Sequence, residues 1–288
     1  MKEKTYLDME VIRDGNYINP AKKIVLGIQH AFTMFGATVL VPIITGFNIS
    51  VALFMAGCGT LLFYFITKRK VPAFLGSSFA FIAPMLVVTE KFGLPYACGG
   101  IIVAGLLYLL LSLLVSIYGV KKVLSFFPPV VTGPIIIVIG LKLAPVAIDM
   151  AKGNWSLSLV GFAVVTAVSI YAKGFFKVLP VLTGIFVGYL VAVFTGNVDF
   201  APIAQAKWIR WPEFTMAKFN WTAITIIAPV AIAAMVEHVG DVLAIGATVE
   251  KNLVEDPGLN KTLIGDGLAT SLSAMFGGPA NTTYSENT

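Results

Sequence analysis

Seven long runs of mostly apolar residues constrain this chain more than any other feature. A helix needs about 20 such residues to cross the hydrocarbon core of a bilayer. Hydrophobic residues make up 57% of the 288 residues and charged residues only 12%, about half the charged share of a typical soluble domain. The pattern predicts an all-α polytopic membrane protein. The runs cover residues 24–45, 49–67, 96–118, 128–148, 157–173, 178–196 and 221–246.

Three further segments are short or irregular. Residues 71–90 contain proline, glycine and two serines, and residues 262–277 are rich in small side chains. Residues 278–288 begin a segment that we expect to be cut short. We therefore count about ten crossing segments, the tenth of them incomplete.

The distribution of Lys and Arg predicts the orientation. Basic residues are concentrated in the polar tail 1–23 and in alternate loops, such as 68–70 and 121–122, and cytoplasmic loops carry that excess. The tail lacks the short apolar core of a cleavable signal peptide. We expect a multi-pass protein of the plasma (inner) membrane with a cytoplasmic N-terminus.

The chain contains an internal repeat with an offset of about 200 residues. Seven crossings separate the two copies, and an odd number places the second copy upside down, as in the inverted repeats of secondary transporters. Interrupted segments at matching positions of such repeats indicate the substrate site. Three matched pairs carry the repeat: Gln29-His30 with Glu237-His238, Gly57-x-Gly59 with Gly265-x-Gly267, and GSSFAF (76–81) with NTTYSE (281–286).

The two interrupted segments are expected to run extended to about Ser78 and Tyr284 and then to turn helical. The free N–H groups at each helix start would face a cavity and donate to carbonyl oxygens or anions. Phe79 and Tyr284 are candidates to stack on a planar substrate.

A few ionisable residues interrupt the apolar runs, which is costly in a membrane. Glu237 and Asp241 share one helix face, and His238 points about 100° away from Glu237. Each has a structural interpretation, as a hydrogen-bonded or packed residue, beside a proton-coupling one. Glu286 is expected in the first turn of the second half-helix, where the dipole favours a carboxylate. Gln29, His30, Asn287 and Asp266 are predicted to tether helices, with Asp266 near either the cavity or a helix end.

Several functions lack support in the sequence. No basic run is interleaved with aromatic residues, so no nucleic-acid partner is predicted. No phosphate-binding loop and no His/Cys spacing typical of a metal site is present, so we expect no cofactor and no metal. A hydrolase built on Glu237, His238 and Asp241 would need a nucleophile or metal ligands, and the spacing supplies neither. The chain is not expected to be an enzyme.

Four motifs in order resemble the nucleobase–ascorbate transporter family (nucleobase:cation symporter-2), and uracil permeases in particular. The resemblance implies a proton symporter that imports a nucleobase across the plasma membrane, with uracil as the favoured base. It implies two inverted repeats of seven spans, discontinuous third and tenth spans, and a core domain beside a gate domain. The motifs are QHAFTMFGATVLVP (29–42), KVPAFLGSSFAFIAP (70–84), EHVGD (237–241) and NTTYSEN (281–287).

The resemblance also implies domains and site residues. Glu237 and Glu286 would accept hydrogen bonds from the base, and backbone near Phe79 and Ser285 would complete the site, with Ser78 and Tyr284 beside it. Glu237, Asp241 and His238 would couple the proton. The domains would be a tail (1–23), core spans one to four (24–118), gate spans five to seven (119–196), an extracellular loop (197–220) and core spans eight to ten (221–288).

Some residues depart from the uracil-permease pattern. Asp241 stands where a second histidine is common, Asp266 is more typical of the xanthine and urate branch, and Ser285 replaces a common glycine. The alternatives are therefore a purine permease of that branch, or a membrane-bound fragment that binds without transporting. The expected partners are the nucleobase, protons and membrane lipid, and the sequence leaves a homodimer open.

Overall fold

The computed structural model describes residues 19–125, 129–173, 179–201, 203 and 211–284. The regular structure in those ranges is helical apart from two three-residue strands. Short 3₁₀ turns at Phe79–Phe81 and Ala228–Val230 precede two of the helices. The elements are α1 (Pro20–Thr45), α2 (Ile49–Ile66), β1 (Leu75–Ser77), α3 (Ile82–Phe92), α4 (Leu94–Tyr118), α5 (Val120–Leu124), α6 (Pro129–Ala151), α7 (Trp155–Tyr171), α8 (Pro180–Phe194), α9 (Trp221–Ile227), α10 (Ala231–Thr248), α11 (Leu259–Met275) and β2 (Asn281–Thr283).

Asparagine side chains define the start of α1, α2, α7 and α9. Asn19, Asn48, Asn154 and Asn220 each accept a hydrogen bond from a backbone N–H in the first turn. Such a cap pairs a donor that the start of a helix otherwise leaves unsatisfied. At the other end of α1, Gly46 adopts a left-handed φ of 78° and its N–H bonds back to the helix, as glycine readily does at a helix end. Polar caps thus separate the apolar segments.

Four helical segments in the described ranges are long and apolar enough to cross a membrane. They are Lys23–Thr45, Ile49–Ile66, Leu94–Tyr118 and Trp221–Thr248. Each coincides, within a few residues, with one of the apolar runs, so the prediction of membrane-crossing helices is confirmed there. The last of them includes the 3₁₀ turn at Ala228–Val230, where proline lacks the N–H that an α-helix requires.

The predicted interruption of the third segment is confirmed. Strand β1 is extended, the 3₁₀ turn begins immediately after Ser78, and α3 continues from it. In the matching late segment, β2 is likewise extended. The half-helix expected after Tyr284 lies outside the described residues.

Helix α11 packs closely against α4 through small residues. A β-carbon at Gly105 would collide with the Ser271 hydroxyl, and one at Gly267 would lie 2.6 Å from the Gly105 carbonyl oxygen. Ser271 Oγ also donates to the Ile102 carbonyl across the same interface, at 3.2 Å. Small residues allow helix backbones to approach one another in membranes, where the packing of atoms replaces the hydrophobic effect as the driving force.

The segment 211–220, within the predicted loop 197–220, contains no helix or strand. It lies against the ends of two helices, because Lys218 N–H donates to the Pro95 carbonyl at 2.8 Å and Thr215 N–H donates to the Phe276 carbonyl at 3.2 Å. Beyond this, α7 and α8 pack on each other, and α8 also contacts α1.

Two glycines on α2 provide a matched test of this packing. A β-carbon at Gly59 would overlap the Asn281 amide and lie 3.1 Å from Ala269 Cβ, whereas one at Gly57 meets open space. Gly59→Ala is therefore expected to cost about 1–3 kcal/mol through overpacking. The thermal unfolding midpoint of the purified protein measures the effect. Gly57→Ala should keep the wild-type midpoint, and equal midpoints for the two variants would contradict the packing.

Candidate functional site

Two strands that lie about 200 residues apart in sequence pair in the interior of the molecule. Strands β1 and β2 are antiparallel, with Leu75 opposite Thr283, Gly76 opposite Thr282 and Ser77 opposite Asn281. Every residue of both strands is buried. One more bond, from Ser78 N–H to the Ala280 carbonyl at 2.8 Å, extends the pairing. Each interrupted segment therefore satisfies backbone groups of the other, as non-helical backbone at membrane depth requires.

Hydrogen bonds to two neighbouring helices also hold β1. Thr60 of α2 accepts from Leu75 N–H at 3.0 Å and donates to the Leu75 carbonyl at 3.3 Å. Ser77 Oγ donates to the Thr38 carbonyl of α1 at 3.0 Å. These bonds fix β1 between two membrane-crossing helices.

Asn281 anchors β2 in a comparable way. Its side-chain amide donates to the Met55 carbonyl of α2 at 3.0 Å, and its own carbonyl accepts from Thr270 Oγ1 of α11 at 2.6 Å. Helices α2 and α11 therefore position β2 as α1 and α2 position β1. The sequence analysis assigned no role to Asn281, and an asparagine in an Asn-Thr-Thr run carries no signal that distinguishes an anchor from a turn.

The start of the helix that follows β1 lies next to the paired strands. The first N–H groups of a helix have no partner within it, and here these belong to the turn Phe79–Phe81. Ser78 caps the turn without a side-chain bond to it. The buried Ser78 hydroxyl has no hydrogen-bond partner within the described residues. The helix start thus presents donors and a hydroxyl group beside the paired strands.

Aromatic rings lie beside this helix start. Tyr284 stacks on Phe79 with ring centroids 6.3 Å apart and an interplanar angle of 29°, and its hydroxyl donates to the Ser77 carbonyl at 2.9 Å. The ring centroid of Phe74 lies 6.3 Å from that of Tyr284 and 6.2 Å from that of His30. The structure therefore brings the predicted residues Phe79, Tyr284 and His30 together through Phe74, which the sequence analysis missed.

Gly76 permits this arrangement. A β-carbon there would lie 2.6 Å from the Tyr284 hydroxyl oxygen and 2.7 Å from Thr38 Oγ1. Both distances are shorter than a real carbon atom tolerates. A side chain at position 76 would therefore displace the ring of Tyr284, so the glycine is required by close approach.

A second group of polar residues links α10, α11 and β2. His238 Nδ1 lies 3.0 Å from Thr283 Oγ1 and 3.3 Å from Asp266 Oδ2, and Thr283 N–H donates to Asp266 Oδ1 at 3.0 Å. The side chains of His238 and Asp266 are fully buried. Rings of Phe63 and Tyr108 meet the His238 ring edge-on. We name His238, Asp266 and Thr283 the histidine–aspartate cluster.

This cluster bears on two sequence predictions. Asp266 bonds a neighbouring segment, which is the contact that a tether makes, and His238 makes the hydrogen bond expected of the structural alternative. Thr283 was missed, because a threonine in an extended run has no distinguishing pattern. A role of His238 in proton coupling stays a prediction.

Two further predicted residues lie on α10, and Asp241 bonds Thr283 of the histidine–aspartate cluster. Glu237 is partly buried and Asp241 is buried on α10, one helical turn apart. Asp241 Oδ2 has no hydrogen-bond partner in the described part of the chain. Gln29 is partly buried on α1. Three predicted site residues, Ser285, Glu286 and Asn287, lie outside the described residues.

Within the described ranges, no group of three or more His, Cys, Asp or Glu side chains has the geometry to hold a metal ion. The arrangement is instead suited to a small, flat and polar molecule. N–H groups at a helix start can donate hydrogen bonds to carbonyl oxygens, and aromatic rings can contact a planar face. Carboxylates on α10 can accept hydrogen bonds from N–H groups.

Residues 21–288 match the model of a permease family, Xan_ur_permease. The chain is 46% identical over 279 residues to the probable uracil permease of Pasteurella multocida (strain Pm70), covering 94% of this chain and 67% of that protein. It is 43% identical to the uracil permease of Bacillus caldolyticus (92% and 65% covered) and 42% identical to that of Escherichia coli (strain K12; 91% and 63% covered). The chain thus spans about two thirds of the length of these relatives.

The fold is similar to a solved transporter. The transmembrane domain of a cyanobacterium bicarbonate transporter, BicA, superposes with a TM-score of 0.63 over 93% of this chain and 73% of that one. The two sequences are only 13% identical, so this likeness concerns the fold alone.

The histidine–aspartate cluster predicts the effect of removing one hydroxyl. Thr283→Val keeps the shape of the side chain but removes the hydroxyl that bonds buried His238 Nδ1, and a typical hydrogen bond contributes about 0.5–1.5 kcal/mol. We expect a lower thermal unfolding midpoint for the purified variant. Thr282→Val on the same strand, outside the cluster, is the control. A Thr283→Val midpoint no lower than that of Thr282→Val would show that the bond does not stabilise the protein.

Proposed function

Because the chain belongs to this permease family, the nucleobase:cation symporter-2 family, whose members are transporters and not enzymes, we propose that it carries a nucleobase across a membrane. Uracil is the favoured base, since relatives that are 39–46% identical over most of the chain are named uracil permeases. The observation that carries the proposal is the helix start at Ser78, whose buried hydroxyl has no hydrogen-bond partner within the described residues and lies next to the Phe79–Tyr284 stack.

The chemistry of uracil complements that helix start. Uracil is planar and neutral, and it presents ring N–H donors beside carbonyl acceptors. Backbone N–H groups at Phe79–Phe81 and the Ser78 hydroxyl are suited to its carbonyl oxygens. The rings of Phe79 and Tyr284 provide aromatic surface for its face. A site that pairs such edges rejects analogues that would leave buried groups unpaired.

Carboxylates are the complementary partners for the ring N–H groups. In this proposal Glu237 accepts one of them, from α10, and Glu286 accepts another from the second half-helix, with Ser285 contributing backbone. The partial burial of Glu237 supports its part, because a hydrogen bond to a charged acceptor is stronger where water is scarce.

Proton coupling would use the same carboxylates. Glu237 and Asp241 lie on one face of α10, and two carboxylates so placed in an apolar span favour the binding of a proton. His238, adjacent in sequence, is bonded to β2 through Thr283. Proton and base would then stabilise one arrangement of α10 and β2 together, which is the thermodynamic requirement for coupled transport.

The inverted repeat and the domains belong to the same proposal. The antiparallel pairing of β1 with β2 is supporting geometry, because a two-fold axis in the membrane plane relates matching segments in opposite directions. The cytoplasmic tail would comprise 1–23, the core 24–118 and 221–288, and the extracellular loop 197–220, and the gate would include 119–196. We propose that the protein lies in the plasma membrane with its N-terminus in the cytoplasm and that protons are the coupled ion. We also propose that membrane lipid surrounds it and that it assembles as a homodimer.

Replacing the α10 carboxylate tests the coupling. Glu237→Gln removes the charge that accepts the base N–H and the proton, and a hydrogen bond to a charged group is worth about 1.5–3 kcal/mol. We expect at least a roughly tenfold loss of concentrative uracil uptake by cells that lack their own uracil carriers. Uptake is measured with and without a protonophore.

Glu90→Gln is the matched control, since Glu90 is exposed on α3. It should keep wild-type uptake at equal protein level in the membrane. Undiminished, protonophore-sensitive accumulation by Glu237→Gln would refute the coupling role.

A ligand panel tests the choice of base. Calorimetric titration of the purified protein with uracil, thymine, xanthine and adenine is expected to show the tightest binding for uracil. Adenine should bind at least about tenfold more weakly, because it lacks the carbonyl oxygens that the helix-start donors require. Tightest binding of xanthine would instead assign the chain to purine transport.

A further inference from the structure

Basic residues from two distant parts of the sequence converge at one end of the molecule. Lys68 and Lys70 follow α2, and Lys251 and Lys261 flank the connection from α10 to α11. The Lys261 ammonium lies beside that of Lys68, and Lys70 Nζ binds Asp256 Oδ1 at 2.6 Å. We call Lys68, Lys70, Lys251 and Lys261 the lysine cluster.

Backbone hydrogen bonds hold the turn that follows α2. Lys68 and Arg69 adopt left-handed φ angles of 56° and 62°. Their N–H groups bond back to the last turn of α2, Lys68 to the Phe65 carbonyl at 3.1 Å and Arg69 to the Tyr64 carbonyl at 2.8 Å. The backbone of the cluster is therefore ordered before any ligand arrives.

Arg69 indicates how deep the cluster lies relative to the membrane. Its guanidinium carbon is 5.9 Å from the centroid of the Tyr64 ring and 5.6 Å from that of Phe65. Both rings are exposed at the end of a membrane-crossing helix. Aromatic and basic side chains of this kind occupy the level of the lipid headgroups. The neighbouring lysine cluster lies at that level too.

Basic residues outnumber acidic ones in these two described segments. The four lysines of the cluster and Arg69 make five basic residues, against three carboxylates at Glu250, Glu255 and Asp256. The hydrogen bond from Lys70 is the main reason that the pKa of Asp256 is below its ordinary value, so this carboxylate is ionised and already engaged. Two ammonium groups side by side, as at Lys68 and Lys261, repel each other unless an anion lies with them.

A surface cavity adjoins the cluster. It has a volume of about 350 Å³ and is lined by Lys70, Lys251, Asn252, Leu253, Glu255 and Asp256. A phosphate group with a few attached carbon atoms fits such a volume. Leu253 and the stems of the lysines offer apolar surface, and the ammonium groups and the Asn252 amide offer donors.

From these observations we propose that the lysine cluster binds the phosphate of an anionic phospholipid headgroup, between the end of α2 and the connection from α10 to α11. The shared chemistry is a phosphate anion held by several ammonium groups. The membrane lipid is the source that the position of the cluster favours, because juxtamembrane lysines attract anionic lipid. Binding would hold the two segments together at the membrane surface.

Lipid binding to the purified protein in neutral detergent tests the proposal. Native mass spectrometry measures the dissociation constant for phosphatidylglycerol, with phosphatidylcholine as the zwitterionic control and inorganic phosphate as the free-anion control. We expect phosphatidylglycerol to bind most tightly. Equal binding of phosphatidylcholine would overturn the site, and equal binding of inorganic phosphate would overturn its assignment to lipid.

Variants that remove positive or negative charge test whether the lipid binds at the lysine cluster. Lys68→Gln combined with Lys261→Gln should weaken phosphatidylglycerol binding by about 30-fold, as the loss of two lysines near an anionic surface predicts. Asp256→Asn removes the competing carboxylate and should tighten binding severalfold. Lys152→Gln, in an exposed pair with Asp149 outside the cluster, should leave it unchanged.

A loss of lipid binding could also come from a variant that does not fold. Thermal unfolding is followed for every variant, and Lys68→Gln alone replaces the double variant if the latter does not fold. Unchanged affinity in the lysine variants, or a loss of affinity in Asp256→Asn, would refute the proposal.

Discussion

The pairing of β1 with β2 solves the central physical problem of this molecule. A membrane-crossing chain that leaves the helix must find hydrogen-bond partners inside the protein, because the surrounding hydrocarbon offers none. Here the two interrupted segments pair with each other over three residues, Thr60 bonds the Leu75 backbone, and the Ser77 and Asn281 side chains donate to carbonyls of α1 and α2. The small residues of the helices around them follow from this arrangement, since only close packing brings those side chains within reach.

Much of this architecture was accessible from the sequence. Apolar run length predicted the helices, because the thickness of a bilayer leaves few alternatives. Proline and glycine within 71–90 predicted the interruption, and Ser78 was correctly expected at the change from extended to helical backbone. Phe79 and Tyr284 were expected to stack on a planar substrate, and in the structure their rings stack on each other.

The contacts between distant segments could not be predicted in the same way. The bond between His238 and Thr283 joins residues 45 positions apart, and neither residue type indicates which residue it will contact. Hydrophobic periodicity gives the face of a helix but not its neighbours, so Asp266 was expected as a tether without a known partner. Phe74 and Asn281 were missed for that reason as well. Chemical identity predicts what a residue can do, whereas the packing of helices decides which residues meet.

The strand pair also has a consequence for biogenesis. Residues enter the membrane in the order of translation, and β1 emerges from the ribosome about 200 residues before β2. Throughout that interval the exposed edge of β1 lacks the partner that the finished protein supplies. Helices α1 and α2 can bond Ser77 and Leu75 early, but the other edge of β1 gains its partner only after α11 has followed. The early half is therefore held in a provisional state whose completion waits on the late half.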